Sequence, residues 1–268
     1  MSEAKVSHPK ALPFLFLSEM WERFGFYLML GIFFLYMTDS EKGGLAMDNK
    51  TASDIFGTFI ALVYLTPFIG GLLADRVLGY KWSITLGGIM MGFGYCGLAI
   101  PGMTAFWVSQ VLIIIGNGFF KPNISTILGN VYNEPKYKAL KDSGYNIFYM
   151  GINIGAFICN FFGAYLRNTF SWGYAFMAAG IGMFVGVAIF WIGQKHYAHA
   201  DVRKPTNPED MSLSKIFGIV LLPALIAGYI GWILPENIFG SDSTDAFILG
   251  ALPVAGFYIS LLVRSNTQ

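Results

Sequence analysis

Charge is what this sequence has least of. Its 268 residues include 17 Lys or Arg and 16 Asp or Glu, 12% in all, against 55% apolar residues. Soluble domains usually carry about 25% charged residues. With half that complement a soluble fold could not cover its own surface, which excludes an ordinary soluble enzyme, a disordered tail and a nucleic-acid binder. A formal net charge of +1 adds no acidic or basic bias towards any partner, nucleic acid included. Cysteine is scarce too. Cys96 and Cys159 both lie in apolar runs and read as buried spectator thiols rather than a disulfide or a metal pair. His8, His196 and His199 lie in polar segments without metal-ligand spacing, so no metal is expected. No G-x-x-x-x-G-K-[ST] element is found, so transport driven by ATP is not supported.

What the sequence has in abundance is apolar helix. Mean hydropathy is +0.56, and 32 glycines suit close helix packing in a bilayer. A bilayer core needs about 20 apolar residues of helix. Hydropathy and breakers predict eight spans: Ala11–Met37, Ala52–Leu73, Trp82–Ile100, Thr104–Val131, Ser143–Leu166 and Trp172–Lys195, then Leu213–Leu234 and Asp245–Val263. The first is a retained helix and not a cleaved signal, because it is too long and contains Glu19, Glu22 and Arg23. The expected fold is therefore all-α and polytopic. Residues 1–195 form a six-helix bundle, 196–212 a solvent-exposed cytoplasmic linker with prolines, and 213–268 a two-helix transmembrane hairpin.

Lysine and arginine orient the spans. With the N-terminus inside, Lys5, Lys10, Arg76, Lys81, Lys136, Lys138, Lys141, Lys195, Arg203, Lys204, Lys215 and Arg264 are cytoplasmic. Only Lys42, Lys50 and Arg167 fall in outer loops, and the last outer loop carries Glu236 and Asp242 without a base. Both termini are expected on the cytoplasmic side of a plasma or bacterial inner membrane.

Four charged side chains remain deep inside spans: Glu19, Glu22, Arg23 and Lys121. Unpaired, they would cost on the order of 10 kcal/mol or more together. Two acids and two bases cancel formally, so the arrangement of least cost turns all four into one shared, water-accessible interior. Glu19, Glu22 and Arg23 share a helix face at i, i+3 and i+4, continued by Phe26, Tyr27 and Leu30. At 1.5 Å per residue, Arg23 lies about 18 Å and Lys121 about 15 Å from the inner ends of their spans, near the middle of a core about 30 Å thick. Asn153 reaches a similar level on the fifth span, with Tyr145 and Tyr149 on its face. One reading is a set of ion pairs that only ties helices together, although buried pairs stabilise weakly. The other is a midplane site for a charged or zwitterionic solute, with a carboxylate that exchanges a proton.

These residues also resemble a known family. Glu19 to Tyr27 (EMWERFGFY) resembles the E-x-x-E-R-F-x-[YF]-Y element of the proton-dependent oligopeptide transporters, a branch of the major facilitator superfamily. Gly70 to Gly79 (GGLLADRVLG) with Lys81 resembles that family's loop between helices two and three. Gly116 to Asn123 (GNGFFKPN) and Tyr145 to Phe157 (YNIFYMGINIGAF) are similar to its fourth- and fifth-helix elements. The resemblance covers nearly the whole chain. It implies an N-terminal six-helix bundle of two three-helix inverted repeats plus two extra helices, the C-terminal bundle being expected in cis or from a partner.

The resemblance also implies roles. Glu19, Glu22 and Arg23 would couple protons; Arg23, Tyr27, Tyr64, Lys121, Tyr149 and Asn153 would bind a di- or tripeptide; Asp75, Arg76 and Lys81 would form an inner gating loop. Protons would be the coupling ion, and no other cofactor is implied. One departure stands out: where many members carry a second arginine, seven residues after the first, this chain has Leu30. Substrate identity therefore stays open between peptides and another solute. Two other classes also remain: a truncated or non-transporting assembly subunit, and a membrane enzyme, which would need a nucleophile or metal that the charged spans do not supply.

Overall fold

The computed structural model describes residues 7–202, 211–235 and 238–266. Lys5, Arg203, Lys204, Glu236 and the side chain of Arg264 lie outside them. Among the described residues eight helices follow one another: α1 Ala11–Thr38, α2 Asn49–Leu73, α3 Tyr80–Leu98, α4 Met103–Tyr132, α5 Lys141–Thr169, α6 Trp172–Gly193, α7 Leu213–Trp232 and α8 Asp242–Asn266. The molecule is an all-α polytopic membrane protein. By length and composition five of them can cross a bilayer: α2 with its terminal turn, α4, α5, α6 and α7. α1 is 28 residues long, but three charges occupy its middle.

The described residues divide into two compact units, Met1–Met47 with Val63–Lys204, and Asp48–Leu62 with Pro205–Gln268. In the first, α1 packs on α5 and α6, α4 packs on α3, and α3 meets α6. α2 joins α4 where a Cβ on Gly70 would come within 2.0 Å of the Gly118 carbonyl oxygen. Exchanging α1–α3 for α4–α6 maps this pattern onto itself, which is the pairing that two inverted three-helix repeats require. α1 and α3 both run against α6, and α4 runs against α3, so α1 and α4 are antiparallel.

Proline explains the closest of these contacts. Pro122 lies inside α4 and removes the hydrogen bond that the Gly118 carbonyl would accept. Gly70 has no side chain and occupies the space over that freed oxygen, while Thr66 donates its hydroxyl to the Ile114 carbonyl at 3.0 Å. α2 ends in a π-helical turn, Ala74–Leu78, closed by Gly79 at φ +79°. That value is open to glycine and strained for other residues.

The second unit is held by small residues and polar ties. A Cβ on Gly231 would meet the Asp245 carbonyl oxygen at 2.5 Å, which brings α7 onto α8. Ser243 donates to the Asp54 carbonyl at 2.6 Å and accepts from the Thr58 hydroxyl at 2.8 Å. α7 contains a π-helical stretch, Phe217–Leu221, just before Pro223, whose ring and missing N–H cannot continue a regular ladder.

The stretch expected to be a solvent-exposed linker departs from that expectation at its start. Residues 196–202 fold back onto the first unit. Tyr197 is buried and donates to the Phe190 carbonyl, the Ala200 carbonyl accepts from Asn130 at 3.0 Å, and His199 pairs with Glu134 at 2.5 Å. An aromatic ring among the polar residues stabilises this local docking by burial. The remainder, 203–210, lies outside the described residues.

Candidate functional site

The α1 stretch carrying Glu19, Glu22 and Arg23 is buried because glycines let two helices close on it. A Cβ on Gly155 of α5 would lie 2.3 Å from the Met20 carbonyl oxygen, and one on Gly186 of α6 would lie 3.1 Å from that of Ser18. This packing leaves the three charges only 3%, 0% and 3% exposed. Arg23 donates to both carboxylate oxygens of Glu22, through Nε to Oε2 and through Nη2 to Oε1, the latter at 2.6 Å. Its Nε also stands 3.3 Å from Glu19 Oε1. Consecutive helical residues point about 100° apart, so this fork is made by side chains bending towards each other and not by helix register. Glu19 Oε2 has no hydrogen-bond partner among the described residues.

Lys121 belongs to the same electrostatic group but stands apart in contact. It lies within Coulombic reach of Arg23, Glu22 and Glu19. Among the described residues it makes no ion pair with them; its Nζ sits 5.0 Å from the ring centre of Tyr64 instead. The expectation of four charges in one cluster therefore becomes a closed triad of net −1 and a separate cation. Arg23 takes both oxygens of Glu22 and one of Glu19, and Lys121 rests on Tyr64 instead. A half-buried lysine over an aromatic face retains a donor head for an anionic group.

The other expected residues divide. Tyr27 joins the triad, its ring centre 5.8 Å from the Arg23 guanidinium, beside Phe26 at 5.1 Å. Tyr64 joins through Lys121, although it is 68% exposed. Tyr149 and Asn153 lie on the exposed face of α5, Tyr149 next to Tyr145 at 6.4 Å, and among the described residues neither is hydrogen-bonded to the triad. Leu30 is half-buried.

The expected loop residues lie at the start of α3. Asp75 accepts from the Tyr80 hydroxyl at 2.7 Å, and Lys81 lies over the Trp191 ring at 4.4 Å and that of Trp82 at 5.3 Å. The acid that caps α3 comes from far along the chain: Asp201 Oδ1 accepts the backbone N–H of Tyr80 at 2.9 Å and of Lys81 at 3.2 Å. No local pattern announces Asp201, which sits in a polar stretch 121 residues away. Tyr95 of α3 and Asn117 of α4 were likewise missed. Both are fully buried without a hydrogen-bond partner among the described residues. For Asn117 a signal existed, since it lies one turn before Lys121 in an apolar helix.

Residues 81–225 match the pattern described as the POT family. A di-/tripeptide transporter of Lactococcus lactis subsp. cremoris is 34% identical over 269 residues, 97% of this chain and 54% of its own. An uncharacterized transporter of Bacillus subtilis (strain 168), YclF, is 42% identical over 224 residues, 82% of this chain and 45% of its own. Among solved structures, a peptide transporter POT in complex with sulfate superposes at TM-score 0.73 with 34% identity, covering 97% of this chain and 53% of that one. A POT family transporter in complex with 5-aminolevulinic acid superposes at 0.72 with 31% identity, covering 85% and 46%. The chain spans about half the length of the curated relatives it matches.

Proposed function

The chain belongs to the POT family, and from that premise we propose that it forms the N-terminal half of a proton-coupled symporter that imports di- and tripeptides by alternating access. Residues 1–195 are the six-helix bundle, 196–212 the link, and 213–268 the additional pair of helices. A C-terminal six-helix bundle, in cis or from a partner, completes the machine in a cell membrane, with both termini cytoplasmic.

The observation that carries this reading is the buried fork between Arg23 and Glu22 beside the uncommitted Lys121. An arginine held by the protein's own carboxylates is unavailable to the carboxylate of a substrate. A proton arriving on Glu22 removes the charge that holds Arg23. The guanidinium then turns to the peptide carboxylate, which Lys121 and the Tyr27 and Tyr64 hydroxyls also attract. Asn153 and Tyr149 contact the peptide backbone or amino end across the cavity. Loss of the proton to the cytoplasm restores the fork and expels the substrate, while Asp75, Arg76 and Lys81 control the inner opening. Glu19, held more loosely at 3.3 Å, shares the proton-coupling role.

Leu30 supports a second reading of the substrate. With one fewer cation than many relatives, the pocket suits a small amino-carboxylate as well as a peptide, and a solved relative holds 5-aminolevulinic acid. Uptake of labelled dipeptide and of that acid into proteoliposomes carrying an imposed pH gradient tests both. Uptake that collapses with the gradient and with Glu22→Gln is expected; uptake indifferent to both removes proton coupling from the proposal.

A further inference from the structure

The interior of the first unit contains more buried polar atoms than the proton triad uses. Asn117 is fully buried, and neither its amide nitrogen nor its oxygen has a hydrogen-bond partner among the described residues. The Tyr95 hydroxyl and Glu19 Oε2 are in the same condition. Desolvating such groups without partners is costly, and native interiors resolve the cost with ordered water or a working role.

Helix geometry puts these atoms together. At 100° per residue, Phe106, Gln110, Ile113, Asn117 and Lys121 fall within about 80° on α4. Glu19, Glu22, Phe26, Met29 and Phe33 fall within a similar arc on α1. The two stripes face each other, because the Phe33 and Phe106 rings stack at 5.8 Å. Glu22 precedes Phe33 by eleven residues and Asn117 follows Phe106 by eleven. In antiparallel helices both then lie about 16 Å from the stack, at one depth. From α3, the Tyr95 ring reaches α1 beside Gly25, where a Cβ would be 3.3 Å from Tyr95 Cε2, and Tyr95 lies within Coulombic reach of Glu22 and Arg23.

We propose that Asn117 and Tyr95 are positioning residues of the proton site, holding water against the Glu22–Arg23 fork in a sealed compartment between α1, α3 and α4. The inference rests on the proton-coupled reading above. The amide donates to the water and accepts from it, the Tyr95 hydroxyl does the same, and Glu19 Oε2 accepts. That gives a water the two to four polar partners it needs. The water in turn donates to a Glu22 oxygen and stabilises its charged form, so the compartment sets the pH at which the fork opens. The other charged or titratable groups facing this point are Arg23 and Glu19 on α1 and Lys121 on α4, the last covered by Tyr64. α5 and α6 meet the stretch with Gly155 and Gly186.

Two measurements on the native protein test the proposal. In infrared difference spectra, water O–H bands that shift in H2-18-O should change when the cluster is titrated, and should disappear in Asn117→Leu and in Tyr95→Phe, which removes a single hydroxyl. In proton-driven uptake, Asn117→Leu should move the pH of half-maximal transport by about one unit to the alkaline side, the worth of a hydrogen bond to a charged group. Asn117→Ser, which keeps a hydroxyl and room for water, should restore the wild-type profile. Isotope-sensitive bands that persist in both Asn117→Leu and Tyr95→Phe overturn the proposal. If wild-type uptake ignores pH, proton coupling falls, and the water bands still decide the compartment.

Discussion

Arg23 grips Glu22, its immediate neighbour in the chain, with two guanidinium nitrogens, while Glu19, one helical turn away, is held at 3.3 Å through one. Helix register favours the i, i+4 pair; the closed fork belongs to the i, i+1 pair. Two parallel donors match one carboxylate in a plane, and in a site closed to bulk solvent that geometry outweighs the bending it requires. In the proposed mechanism the fork makes Glu22 the carboxylate whose neutralisation frees the arginine.

Arg23→Lys keeps the charge and loses the fork. Proton-driven peptide uptake should fall about tenfold or more, with a stability loss of about 1–3 kcal/mol from the buried acceptors left unpaired. Uptake assays together with denaturation midpoints in detergent check both. Wild-type uptake in the lysine variant would remove the fork from the mechanism.

Gly70 and Gly71 should respond unequally to one methyl group. A Cβ on Gly70 meets the Gly118 carbonyl oxygen at 2.0 Å, whereas one on Gly71 meets Pro122 Cβ at an ordinary 3.7 Å. Gly70→Ala should cost about 1–3 kcal/mol by overpacking and Gly71→Ala close to nothing. Thermal unfolding of the two variants side by side gives the comparison.

Asp201→Ala removes the acceptor for two N–H groups at the start of α3. Losing an N-terminal cap costs about 1 kcal/mol, which lowers the melting temperature by about 2–4 °C in a chain of this size. Asp201→Asn retains a side-chain oxygen and should lose less. Equal melting curves for wild type and Asp201→Ala would show that the cap is dispensable.

Asp39, just past α1, accepts the Trp172 indole N–H at 2.8 Å and the backbone N–H groups of Lys42 and Gly44 at 3.0 and 3.2 Å. The indole first, then those backbone donors, hold its carboxyl below the usual carboxylate range against a smaller opposing effect of desolvation. A lowered folded value means that the stabilisation is complete above the unfolded value of about 3.9 and is lost as pH falls through the folded one. Amide exchange at Lys42 and Gly44 should therefore accelerate only in strong acid. In Asp39→Asn that acid dependence should vanish.

How much of the site was legible follows from what each residue's neighbours could reveal. Glu19, Glu22, Arg23 and Lys121 stood out because a charge inside an apolar run costs several kcal/mol and so marks itself. Tyr95 and Asn117 carry no such mark, since a phenol or an amide is common at helix interfaces in membranes. Their significance appears only when α3 and α4 close on α1. Asp201 was concealed by distance along the chain: a polar residue in a polar segment has no periodicity to betray a cap 121 positions away.

The sequence by itself determined the number of helices, their approximate ends and the identity of the four charges inside spans, because hydropathy, breakers and charge cost act locally. Tertiary structure decided the partners. It gave Arg23 to Glu22, set Lys121 on Tyr64, and seated Gly70 over the carbonyl that Pro122 frees. Those outcomes depend on how closely helices approach and on which side chain fills the space between them, and both are properties of packed helices together.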